Sequence, residues 1–190
     1  MLKIVHRVNT VKKLKTVPEE YGIELDLRPQ GDRIILHHDA FEQGEDFEEF
    51  LEHYKHKFLI LNTKSEGMED RLLELMQKHN IQDYFFLDLS LPYLVKYSKR
   101  GIKNIAVRFS QYEPLEFCLK FKDLVNWVWV DCFEDNILDE ASYKILSEHF
   151  KLCLVSPELQ AKPVEDIARF KQELEGFEIA AVCTKQPDLW

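Results

Sequence analysis

Eight short apolar runs recur along the chain, at residues 2–7, 23–28, 58–64, 84–89, 104–109, 127–131, 151–155 and 179–183. Strands that are apolar on both faces must be covered on both faces, and strands that alternate with helices pair in parallel. Between the runs, apolar residues fall at helical spacing over residues 46–56, 68–79, 91–100, 114–124, 138–149 and 164–175, and weakly over 8–20. Gly101 and Gly176 stand where two of these helices should stop. Eight such units predict a closed (β/α)8 barrel spanning residues 1–190 as a single domain. At 190 residues the chain is shorter than the roughly 200 or more such a barrel needs, so the barrel is expected to be trimmed, with short helices. An open doubly wound sheet is the rival, weakened because no glycine-rich phosphate turn follows any run.

Polar residues gather at the C-terminal ends of the runs: His6, Arg7, Glu24, Asp26, His38, Asn62, Lys64, Asp88, Arg108, Asp131, Glu158 and Lys185. In a barrel these ends converge on one mouth, where active sites are built. The densest stretch is 21–39. From Ile23 to Arg28 the period is two, so Glu24, Asp26 and Arg28 share one strand face while Ile23, Leu25 and Leu27 share the other. Gln30, Gly31 and Asp32 offer a turn, and a second apolar run ends in His37, His38 and Asp39. Carboxylates two apart are, taken alone, an ordinary solvated strand face. With histidines close behind, they are also the oxygen and imidazole groups that serve a hard cation and proton transfer. His37 should face away from His38 and be structural. His53 and His56, three apart, read as a solvated helix end, His79 and His149 as favourable cations near helix C-termini, and Trp127 and Trp129 as core.

The net charge of −9 argues against nonspecific nucleic-acid binding, which needs clustered Lys and Arg. Cys118, Cys132, Cys153 and Cys183 form no CxxC pair and read as buried reduced thiols. The opening MLKIVHRV is too short an apolar run for a signal peptide, no stretch approaches a membrane span, and a cytoplasmic location is the default.

The set His6-Arg7, Glu24-Leu25-Asp26 and His38-Asp39 resembles the glycerophosphodiester phosphodiesterase family, whose pattern is an HR pair, an E-x-D strand and an HD pair. It also looks like the wider phospholipase C-like phosphodiesterases, including the sphingomyelinase D group, at His6-Arg7-Val8-Asn9. The resemblance continues through Asn62 and Lys64 and closes at residues 184–189, similar to a terminal T-D-x-P-D-L, so it spans nearly the whole chain. It implies a phosphoric diester hydrolase acting on a small phosphodiester. His6 and His38 would be general acid and base, Arg7 and Lys64 would hold the phosphate, and Glu24, Asp26 and Asn62 would hold a divalent metal ion, Mg or Ca. Asp88, Arg108, Asp131, Glu158 and Lys185 would line the pocket. Three departures stand out: Asn62 replaces a metal carboxylate, Val8 a glycine, and Lys185 an aspartate. The insertion that often follows HD is also absent. A lyase that stops at a cyclic phosphate, or a degenerate barrel that binds a phosphorylated ligand, remains open, as does the oligomeric state.

Overall fold

β1 (Leu2–Val5) opens the chain and a four-residue helix, α1 (Val11–Leu14), follows, capped by the Thr10 hydroxyl. The computed structural model describes residues 1–190 as two compact units, Val5–Leu94 and Met1–Ile4 with Val95–Trp190. In the first, β2 (Gly22–Gln30) turns at Gly31, which has a φ of 61°, into β3 (Arg33–Leu36). The two-residue β4 (Glu45–Asp46) leads into α2 (Phe47–Leu51), where the Asp46 carboxylate accepts the N–H groups of Glu48 and Glu49. β5 (Phe58–Thr63), α3 (Glu69–Lys78) and β6 (Tyr84–Leu87) complete the unit. Its strand order is β4-β3-β2-β5-β6. β2, β5 and β6 run parallel, with Leu25 opposite Leu61 and Asp26 opposite Asn62. β3 and β4 are antiparallel additions to the eight runs. The apolar face of β2 is sealed, Ile23, Leu25 and Leu27 being 0% exposed, and α3 covers the sheet with Leu72, Leu75 and Met76.

α4 (Leu91–Lys99) leads into the second unit: β7 (Ala106–Ser110), α5 (Leu115–Leu119), β8 (Trp127–Asp131), α6 (Glu140–Ser147), β9 (Lys151–Val155), a 3-10 turn (Pro157–Gln160), α7 (Asp166–Glu173) and β10 (Ala181–Thr184). The order is β1-β10-β9-β8-β7, with β7 through β10 parallel. The helices are shorter than their periodicity suggests. α5 ends five residues early because the chain after Lys120 closes into turns, with Asp123 at a φ of 66°. α6 starts at Glu140, where Asp139 and Ser142 form a reciprocal cap. Trp127 and Trp129 are core, and all four cysteines are buried and free. His56 departs from the solvated helix end expected of it: α2 stops at Leu51, so His56 lies in the approach to β5, buried, with Nε2 3.0 Å from the Val17 carbonyl. No helix is long and apolar enough to cross a membrane.

Candidate active site

Within the unit Val5–Leu94, the first half of β2 carries the acidic pair, and the C-terminal end of β5 carries its partners. Glu24 and Asp26 are both 0% exposed, which rules out the solvated strand face. Parallel pairing sets Asn62 beside Asp26, and the Asn62 amide nitrogen donates to Glu24 Oε1 at 2.9 Å. The other Glu24 oxygen accepts the Arg7 backbone N–H at 2.7 Å and lies 3.7 Å from His6 Nε2. Burial, followed by the charge of Asp26, pushes the Glu24 carboxyl up to about 7, against the pull of the Arg7 and Asn62 donors and of Lys64.

Arg7 presents itself from a φ of 54°, a conformation that L side chains adopt reluctantly. Several contacts hold it there. The Lys13 ammonium donates to the carbonyls of His6 (2.8 Å) and Arg7 (2.9 Å), and Val8 N–H donates to the Glu24 carbonyl at 2.7 Å. The Arg7 guanidinium reaches to 3.8 Å from Asp26 Oδ2. Asn9 fixes that same carboxylate, donating to Asp26 Oδ2 at 2.8 Å while its own oxygen accepts the Asp26 N–H at 2.9 Å. Lys64 Nζ lies 3.4 Å from Asp26 Oδ1 and 3.4 Å from Asp88 Oδ2, so the middle of β2 and the residues just past β5 and β6 meet through one ammonium.

His38 is placed by backbone and neighbour. Its Nδ1 lies 2.8 Å from Asp39 Oδ1, which leaves Nε2 as the outward nitrogen. The His38 hydrogen bond lowers the Asp39 carboxyl, and Arg7 adds a smaller pull in the same direction. Arg28 spans from the His38 carbonyl (3.0 Å) to the Lys64 carbonyl (3.2 Å), tying the two loops together. His37 accepts the Asp39 N–H at 3.0 Å, the structural use expected of it.

Asn9, Lys13 and Arg28 are the contributors that sequence reasoning passed over. Arg28 had a signal, since it shares the two-residue period of Glu24 and Asp26. Asn9 and Lys13 act across a turn whose path no periodicity records.

In the other unit, Arg108 and the buried Asp131 form a close ion pair, and the Gln160 amide also donates to Asp131. Glu158 accepts from the Thr184 hydroxyl (2.6 Å), the Lys185 N–H (2.9 Å) and the Ser156 hydroxyl. Its carboxylate is therefore engaged in holding the chain after β10. Lys185 itself is exposed.

The family resemblance implies a divalent cation, and the donor set can be tested against it. Asp26 Oδ1 and Asn62 Oδ1 are buried oxygens with no hydrogen-bond partner, Lys64 pairing with the former by charge at a distance too long for a good hydrogen bond. Two carboxylates and an amide oxygen suit a hard cation such as Mg or Ca. With Asn62 in the third place, no cluster of three His, Cys, Asp or Glu is arranged for a metal. The donor set fits, but with less charge than three carboxylates.

No family model matches the sequence, and no curated protein matches it. Solved structures do. A candidate glycerophosphoryl diester phosphodiesterase of Agrobacterium tumefaciens aligns with a TM-score of 0.70 at 15% identity, over 100% of this chain and 95% of that one. A glycerophosphoryl diester phosphodiesterase from Parabacteroides distasonis aligns with a TM-score of 0.66 at 13% identity, over 99% and 84%. A mutant tryptophan synthase alpha-subunit from Pyrococcus furiosus also aligns, with a TM-score of 0.59 at 11% identity, over 99% and 88%. Alternating strands and helices in a mostly parallel sheet, shared with these proteins, give the chain the (β/α)8-barrel fold. That a tryptophan synthase subunit shares it means the chemistry must be argued from the side chains.

Proposed function

We propose that this protein is a phosphodiesterase that cleaves a small, glycerophosphodiester-like substrate, with residues 1–190 acting as one domain. One observation carries the reading: two carboxylates with no exposed surface, Glu24 and Asp26, on one face of β2 beside His6, Arg7 and Lys64. Burying two like charges side by side costs several kcal/mol, and such arrangements concentrate at functional sites.

A phosphodiester is an anion that repels nucleophiles, so its charge must be offset before attack. Arg7 and Lys64 would take the non-bridging oxygens. Glu24, Asp26 and Asn62 would hold the divalent cation, Mg or Ca, which when bound supplies further charge neutralisation at the phosphate. His6 and His38 form the acid–base pair. One imidazole accepts the proton of the attacking water or substrate hydroxyl, and the other donates a proton to the departing alkoxide as the P–O bond breaks. Asp39 supports this role by holding His38 Nδ1 and leaving Nε2 toward the reaction. The four buried free thiols agree with a cytoplasmic, reducing location.

The test is hydrolysis of bis(4-nitrophenyl) phosphate by the purified protein with calcium, magnesium or manganese. His6→Ala and His38→Ala should each lower kcat by about 10² to 10⁴ with the melting temperature unchanged. Phosphorus NMR of the product separates a hydrolase, which releases a monoester, from a lyase, which stops at a cyclic phosphate. Asn62 and Lys185 favour one other reading, a barrel that binds a phosphorylated ligand without turning it over. A wild type inert with all three cations that still binds sugar phosphates would establish it.

A further inference from the structure

Lys64 stands between two carboxylates with a fixed base and an adjustable tip. Its backbone N–H donates to the Leu27 carbonyl at 3.0 Å, and its carbonyl accepts from Arg28 at 3.2 Å. From there a flexible four-carbon stem carries the ammonium to within 3.4 Å of both Asp26 Oδ1 and Asp88 Oδ2, and the side chain is 17% exposed. Asp88 meets it from a φ of 61°, an uncommon backbone conformation just beyond the end of β6.

The oxygens of Asp26 are unequally used. Oδ2 accepts from Asn9 and faces Arg7, whereas Oδ1 has no hydrogen bond and faces the Lys64 ammonium. Oδ1 is therefore the oxygen an incoming cation would take, and its place is held by a charge of the same sign. Two cations on one carboxylate oxygen repel strongly in a partly buried site. Asn62 brings no negative charge to offset them.

We propose that Lys64 is a tethered counter-cation that a divalent ion must displace from Asp26. Asp88 then receives the displaced ammonium and positions it for the substrate phosphate. Cation and phosphate consequently bind with positive coupling, the first freeing the lysine that grips the second. This rests on the metal-site assignment made above, and Asp88 is a positioning residue that acts through Lys64.

The test is calorimetric titration of the full chain with calcium alone, and with inorganic phosphate in the presence and absence of calcium. Lys64→Met should bind calcium at least roughly tenfold tighter than wild type, within the range of ordinary site-to-site coupling. Lys64→Arg, which keeps the charge, should stay near wild type. Saturating calcium should tighten phosphate binding by wild type at least about fivefold more than it tightens binding by Lys64→Met, where only the direct attraction of the ion for phosphate is left. Asp26→Asn should abolish calcium binding in either background, tying the ion to this site. Equal calcium affinity in wild type and Lys64→Met, or phosphate binding indifferent to calcium in wild type, overturns the proposal and leaves the phosphodiesterase reading standing. Calcium binding to neither protein overturns both the proposal and the metal assignment. Should Lys64→Met not fold, Asp88→Asn decides: the proposal requires its calcium–phosphate coupling to fall at least about fivefold below that of wild type, and coupling equal to wild type overturns it.

Discussion

Glu24 is a side chain whose burial costs stability at neutral pH. Its carboxyl is raised from an ordinary 4.5 to about 7, first by burial and then by Asp26. The folded state therefore favours the protonated form. The associated stability is fully present below about pH 4.5 and is lost as pH rises through about 7. Glu24→Gln removes the buried charge and keeps an acceptor for only one of the two donors, the Arg7 N–H or the Asn62 amide, because its other end is an NH2 group. In the presence of a chelator it should raise the free energy of unfolding at about pH 8 by on the order of 2 kcal/mol and bring no gain near pH 4. Urea titration at the two pH values checks this. At the same scale, the period of β2 by itself puts Glu24, Asp26 and Arg28 on one face. The hold of Asn9 on Asp26, and of Lys13 on the carbonyls behind Arg7, could not be read that way. Both depend on a turn that reverses the chain between residues 5 and 13.

Among the elements, the β2–β3 hairpin and β4 carry His37 and His38 to the site. Gly31 supplies a turn with positive φ, in open space. Gly44 has a different duty: a Cβ there would lie 2.5 Å from the Leu36 carbonyl oxygen, so the backbone just before β4 packs directly on the end of β3. Gly31→Ala should cost about 1 kcal/mol, the usual penalty for an L residue at positive φ. Gly44→Ala should cost more, because backbone must move, and should also disturb His38 two residues beyond Leu36. Thermal unfolding checks the order of the two variants, and a larger loss of the proposed phosphodiesterase activity in Gly44→Ala checks the link to His38. Strand positions were legible in the sequence because apolar runs bounded by polar residues are a local property. β3 falls inside one turn-and-return reading of residues 21–39 and β4 at the start of the helical spacing over 46–56, since nothing local distinguishes an antiparallel return from a barrel strand.

At the scale of the whole molecule, the cysteines are distributed through the core with no pairing. Cys118 is pushed up to about 12 by burial, and Cys153 is raised in the same way. A thiol reagent at neutral pH should therefore label almost none of the four in the native protein and all four in urea. Reductant should leave the melting temperature unchanged. Rapid labelling of Cys118 or Cys153 under native conditions would show that the core around them opens. The alternation of eight apolar runs with helical segments was enough to determine a mostly parallel α/β fold, because a strand without a polar face has to be covered on both sides. The acids, imidazoles and cations of the candidate site could likewise be named from strand-end positions and spacing. Tertiary structure alone decided that Glu24 and Asp26 are sealed from water, that Asn62 turns its nitrogen to Glu24, and that one lysine bridges β2 and the end of β6. Spacing along a chain fixes which face a residue occupies, whereas burial and charge pairing depend on which distant segment is brought against that face.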